Sequence, residues 1–137
     1  MIMKGLAQYI SESWDELNGF AILKPEFLSK EEQWIDMLKN NGWQIIKKVK
    51  KKLSLEEAKE LYSPHKGKKF YEDLCKYMSS GECVCVSCHK DTTSPIADMD
   101  KLKDKCRKAW GKDEMRNAMH SSDSLENIKR ESNICLK

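Results

Sequence analysis

Arg116-Asn117-Ala118-Met119-His120-Ser121-Ser122-Asp123-Ser124 places a histidine just ahead of a helix start, and Glu131 follows along that helix. Asp123 has the chemistry of an N-cap, and Glu126 three residues later would complete a capping box. Glu131 then falls about two turns into the helix, within reach of the His120 ring. A carboxylate on one ring nitrogen fixes the tautomer and leaves the other as a nucleophile, the arrangement in which an imidazole accepts a phosphoryl group. A surface histidine ahead of a capped helix would carry the same residues, because such caps are common. Spacing alone leaves both readings open.

A second constellation has ligating chemistry. Cys83-x-Cys85-x-x-Cys88-His89 puts four soft ligands within seven residues. Zinc sites usually pair a Cys-x-x-Cys with a second pair elsewhere, and Cys106 and Cys135 are single. Cys83, Val84, Cys85 and Val86 equally fit a buried strand in which thiols act as small hydrophobes. Alternation would set Cys83 and Cys85 on one face, a poor start for tetrahedral ligation. We expect reduced, metal-free thiols, with a cysteine-dependent metal or redox protein as the rival reading.

These groups need a scaffold, and the composition provides for one. At 137 residues the chain suits a single domain with a real core. Hydrophobic residues make up 39% and charged residues 34%, as in soluble globular proteins. No apolar run approaches membrane-spanning length, and Met1-Ile2-Met3-Lys4 is not followed by a signal-peptide core. A net charge of +3 is too mild to argue for nucleic acid. The basic run Lys47-Lys48-Val49-Lys50-Lys51-Lys52 reads as a solvated strand edge, with a polyanion patch as the alternative. Six cysteines without a secretory signal point to a reducing cytoplasm.

Periodicity and punctuation predict the elements. Leu6, Ile10, Trp14 and Leu17 keep a helical rhythm, so residues 1–18 read as a helical extension ahead of a domain over 19–137. Gly19 to Lys24 reads as a strand. Ser29-x-x-Glu32 opens a helix stopped at Gly42, and Trp43 to Leu53 is a second strand. Ser54-x-x-Glu57 opens a helix through Tyr62, broken by Pro64 and Gly67. Phe70 to Met78 is helical, Glu82 to Cys88 is the third strand, and a charged helix spans Ile96 to Trp110. Arg116 to His120 is the fourth strand, and the last helix starts at Asp123. Periodicity supports mixed α/β (α+β) architecture and no more.

Several ordered motifs together resemble the nucleoside diphosphate kinase family. Asn117-x-x-His120-x-Ser122-Asp123-Ser124, ending in Glu131, is similar to its active-site signature. Phe20-Ala21-Ile22-Leu23-Lys24-Pro25 resembles its first strand and Lys-Pro. Tyr62-x-x-His65-Lys66-x-x-x-Phe70 resembles the segment leading into its nucleotide-binding hairpin. Leu74, then Tyr77-Met78-x-Ser80-Gly81, resembles the helix and turn after it. The resemblance runs from about Gly19 to Glu131. It implies a ferredoxin-like split βαβ plan: a four-stranded antiparallel sheet with helices on one face.

The resemblance also implies roles. His120 would be phosphorylated by a nucleoside triphosphate and pass the group to a nucleoside diphosphate, with Glu131 and Ser122 orienting the ring. Lys24, Arg107 and Tyr62 would attend the phosphates, Phe70 and Leu74 the base, and Asn117 the sugar hydroxyl. Arg107 lies thirteen residues before His120, the family spacing without a gap. Base stacking tolerates any base. Magnesium would arrive on the nucleotide phosphates, with no protein ligand expected, and a homodimer is implied, with neither nucleic acid nor membrane as partner.

Departures are equally plain. The family's long loop between the third strand and the phosphate arginine carries a further arginine and a threonine, and packs subunits together. Here Cys88 to Cys106 is too short for it, and Asp91-Thr92-Thr93-Ser94-Pro95 leads straight into a helix. Lys101, Lys103 and Lys105 could replace the arginine only by charge. Glu114 stands where an apolar residue would close the base clamp opposite Phe70. Ser121 replaces a glycine and Glu26 an aspartate. A family-fold protein that binds nucleotide or a partner with little turnover is therefore the alternative reading.

Overall fold

A strand without a polar face organises the molecule. Gly19–Leu23 (β1), sequence GFAIL, is buried at every position, and a strand that is apolar on both faces has to be covered on both. The computed structural model describes residues 17–137. The helix expected within residues 1–18 lies outside them except at its last residues. After β1 come α1 (Glu31–Asn40), β2 (Gln44–Lys51), α2 (Leu55–Leu61), α3 (Tyr71–Met78), β3 (Cys83–His89), α4 (Pro95–Trp110), β4 (Met119–Ser121) and α5 (Leu125–Cys135).

The four strands form one antiparallel sheet in the order β2-β3-β1-β4. Each βαβ unit is thus split by a strand of the other, the plan expected. Helices on one face only was wrong. Phe20 and Ile22 pack with α2, α3 and α5, whereas Ala21 and Leu23 pack with α1 and α4. The alternating strand buries both residue sets, so a second helical layer closes the other side.

Local signals mark most boundaries. The Ser54 box forms as read: Ser54 Oγ accepts from Glu57 N at 3.0 Å, and Ser54 N donates to Glu57 Oε1 at 2.9 Å. Gly42 sits at φ +90° just past α1, where left-handed backbone ends the helix. Ser29 does not cap; a 3-10 turn over Leu28–Lys30 precedes α1. The cap of α5 is Ser124 and not Asp123: Ser124 Oγ accepts from Asn127 N at 3.1 Å, while Asp123 Oδ1 accepts from Asn127 Nδ2 at 2.6 Å. Ser124 has the extended backbone an N-cap requires.

The fourth strand is shorter than the expected Arg116 to His120. Asp113 accepts from the Arg116 amide at 2.6 Å and from its Nε at 2.8 Å, and Arg116 O accepts from Lys112 N at 2.7 Å. Ala118 lies at φ +83°. A non-glycine residue there cannot continue a ladder, so pairing begins at Met119.

The basic run lies on edge strand β2. Lys48 and Lys50 pair with Glu31 at 2.7 and 3.0 Å, and Lys51 with Glu57 at 2.9 Å. It reads as a solvated edge on which two carboxylates offset part of the charge. No helix among the described residues is long and apolar enough to cross a membrane.

Candidate active site

Strand β4 presents its residues alternately to the two helical layers. Met119 turns toward α1 and α4, where Trp34 Nε1 donates to its sulfur at 3.3 Å and Arg107 Nη2 to its carbonyl at 3.3 Å. His120, paired with Ile22 of β1, turns the other way, toward α5 and Tyr62. Its Nε2 is hydrogen-bonded to Glu131 Oε1, which also accepts from Ser122 Oγ at 3.0 Å. The Tyr62 ring meets the imidazole edge-on at 5.3 Å between centroids. With Nε2 given to Glu131, Nδ1 carries the available lone pair.

This pair sits in a cleft of about 400 Å³. Lys24, Tyr62, Phe70, Leu74, Arg107 and Asn117 line it together with His120 and Glu131; Ser122 stands behind Glu131, 2% exposed. Every residue named from sequence for the site is therefore in or directly behind one cleft. Phe70 is half exposed at the rim, and Leu74 belongs to the core beneath. Glu114 also lines the cleft.

Several polar atoms here have no protein partner among the described residues. Tyr62 Oη, Arg107 Nε and Asn117 Oδ1 are buried and unpaired. Buried polar groups are normally satisfied, so orphans gathered in a cleft mark ligand contacts. Burial, then the Glu131 charge, pushes the Tyr62 phenol well above its ordinary value, keeping it a donor. Asn117 Nδ2 donates to Glu114 O at 2.7 Å, which leaves the amide oxygen to accept, for instance from a hydroxyl.

Lys24 is 4% exposed, and its Nζ donates to Met115 O at 3.2 Å. Burial first, then the neighbouring Arg107 and Lys103 charges, lowers its pKa to about 7. The cleft therefore holds cationic groups crowded together more closely than water alone would favour.

Three further lining residues bear on the geometry or charge of the cleft. Arg130 donates through Nη1 to Glu60 O at 2.8 Å and through Nη2 to Leu61 O at 3.2 Å, and Nη2 lies 3.6 Å from Glu131 Oε2. It ties the end of α2 to α5 and sets the second oxygen of Glu131. Its only sequence signal was its position beside Glu131. His65 packs between the rings of Tyr62 and Phe70, at 6.3 and 5.6 Å. It was legible inside the Tyr62-x-x-His65 motif. Lys103 also lines the cleft.

The cysteine constellation does not assemble. Cys83 and Cys85 lie on the α2, α3 and α5 side with sulfurs 3.8 Å apart, while Cys88 faces the other layer. All six cysteines are free and buried, and burial pushes the Cys88 and Cys106 thiols up to about 12. Protein purified without added zinc should contain no stoichiometric metal. One zinc per chain by elemental analysis would overturn this assignment.

Sheet order, two-sided helical cover and a histidine–glutamate pair at a cationic cleft define an α/β protein with a carboxylate-held histidine in its principal cleft. The nucleoside diphosphate kinase family model matches residues 18–137, and the chain belongs to that family. It is 33% identical over 122 residues to nucleoside diphosphate kinase homolog 5 of Mus musculus, an alignment covering 81% of this chain and 58% of that protein. To a nucleoside diphosphate kinase of Chloroherpeton thalassium it is 32% identical over 123 residues, covering 81% and 86%. The chain thus spans little more than half of the mouse relative. The solved nucleoside diphosphate kinase of Encephalitozoon cuniculi shares the fold with a TM-score of 0.79 at 18% identity, covering 86% of this chain and 87% of that one. That of Aquifex aeolicus gives 0.72 at 25% identity, covering 85% and 92%.

Proposed function

We propose that this protein is a nucleoside diphosphate kinase-type phosphotransferase working through a phosphohistidine at His120. The observation that carries the reading is the Nε2 bond to Glu131, made by a ring that lines the same cleft as Lys24 and Arg107 and has its Nδ1 left over for chemistry. In the first half-reaction the Nδ1 lone pair attacks the terminal phosphorus of a nucleoside triphosphate. The bond from phosphorus to the bridging oxygen breaks, and a nucleoside diphosphate leaves. In the second, a terminal oxygen of another diphosphate attacks the same phosphorus and the P–N bond breaks, returning the electron pair to Nδ1. Glu131 steadies the positive charge of the ring in between, and Lys24 and Arg107 face the spread negative charge.

Tyr62 Oη donates to a phosphate oxygen, Asn117 Oδ1 accepts from a sugar hydroxyl, and the base lies against Phe70 over Leu74. Bound with the nucleotide, magnesium would supply partial neutralisation of the phosphate charge that Lys24 and Arg107 face. A cationic cleft suits an ion carried by the substrate's phosphates. Buried free thiols suit a reducing compartment, which we take to be the cytoplasm. Transfer from ATP to a second nucleoside diphosphate is the direct assay, and failure of that transfer would remove the enzymatic reading.

A binding protein with little turnover is the second reading, favoured by the short β3–α4 connection of residues 90–94. On either reading, nucleotide affinity should be lower than in relatives with the full loop. Hydrogen bonds to charged groups contribute about 1.5–3 kcal/mol each, so losing one or two weakens binding tenfold or more. The missing loop would also pack subunits, so the assembly should be a two-fold dimer. Light scattering and a nucleotide titration on one sample check both halves. A hexamer with micromolar binding would show that another segment has replaced the loop.

A further inference from the structure

Where the family resemblance implies a long loop, this chain has an unbroken helix of 16 residues, α4. Lys103 and Arg107 sit four residues apart on it, hence on one face, and both line the His120 cleft. Lys101, Lys105 and Lys108 line a separate depression with Asn41 and Lys90. Of the three lysines that could replace the loop arginine by charge, the helical phase therefore brings only Lys103 to the site. Its side chain is 18% exposed, and its carboxylate partner, Asp100 at 3.3 Å, is itself 51% exposed. Lys103 is also near enough to Lys24 to push its pKa down. Three cations converging on one cleft repel one another until an anion of matching charge enters.

We propose that Lys103 is a phosphate-binding residue of this site, its ammonium group meeting the terminal phosphates beside Lys24 and Arg107. This rests on the function proposed above and adds a contact peculiar to this chain. An ammonium is a compact point charge, whereas a guanidinium grips bidentately. Lys103 therefore supplies attraction with little orientation, and arginine at this position substitutes for it.

Calorimetric titration of magnesium ATP, magnesium ADP, AMP and tripolyphosphate tests the idea on wild type, Lys103→Ala, Lys103→Arg and Lys108→Ala. Expected is a tenfold or larger loss for ATP, ADP and tripolyphosphate in Lys103→Ala, a smaller loss for AMP, and recovery in Lys103→Arg. Lys108→Ala should match wild type, and recovery in the arginine variant separates lost charge from lost folding. Equal affinity of Lys103→Ala and wild type overturns the proposal. So does an equal loss for AMP and ATP, or an equal loss in Lys108→Ala. If tripolyphosphate binds through Lys103 but no nucleotide binds, the nucleotide reading falls and the anion site stands. If the wild type binds neither, both fall.

Discussion

Replacing His120 with alanine will leave a folded protein that binds nucleotide but takes up no phosphoryl group. Lys24 follows β1, Phe70 precedes α3, and Lys103 and Arg107 lie on α4, so truncating a β4 side chain leaves these contacts standing. What disappears is the nucleophile, and with it the whole covalent route. Truncation also deprives the buried Glu131 of a partner, a loss of about 1–3 kcal/mol in stability. Glu131→Gln is a graded companion: the ring keeps its place but loses the charge that stabilises it, so labelling should slow by roughly 10–100-fold, as for other orienting partners of a histidine. The check is incubation with labelled ATP and magnesium, followed by acid treatment. Acid-labile label on wild type and none on His120→Ala is the expected pattern. An unlabelled wild type, or a labelled alanine variant, would refute the histidine route.

Lys24 should show that a functional cation weakens the fold that holds it. Its folded pKa is about 7 against 10.5 when exposed. Below pH 7 the group is charged in both states, and the folded protein bears a desolvated ammonium. Between pH 7 and 10.5 the unfolded chain holds a proton that the folded chain has released, so stability rises with pH across that window. At about 1.4 kcal/mol per unit, the full swing is roughly 3–5 kcal/mol. Lys24→Met removes the group, so its stability curve should lack this rise and lie above wild type at pH 6, less about 1 kcal/mol for the lost bond to Met115 O. Binding follows the opposite course. A bound phosphate favours the charged lysine, so wild-type affinity falls as pH rises past 7, and Lys24→Met binds weakly throughout. Denaturant melts at pH 6 and 9.5 with parallel titrations check both. Parallel stability profiles for wild type and variant would refute the burial argument.

Much of the site could be read from the chain because its central device is nearly local. His120, Ser122 and Glu131 are spaced so that one strand end and two helical turns bring them together. The Ser54–Glu57 box, the arrest of α1 at Gly42 and the shared face of Cys83 and Cys85 are likewise set within a few residues. Side-chain geometry and backbone sterics decide such features wherever the segment sits in the fold.

What lay beyond the sequence depends on segments far apart in the chain. Both-sided cover of the sheet follows from the packing of every β1 residue against one of two helical layers. The late start of β4 needed the Asp113–Arg116 contacts and the left-handed Ala118. Arg130 reaches Glu60 across 70 residues, and Trp34 reaches Met119 across 85. The depressed pKa of Lys24 arises from burial and two cations on α4, a helix more than seventy residues away in sequence. Sequence by itself singled out His120, the carboxylate that holds its ring and the elements that carry them. Tertiary structure alone brought Lys103 and Arg130 to the cleft and decided how strongly its cations feel one another, because desolvation and Coulomb repulsion depend on distances that only packing sets.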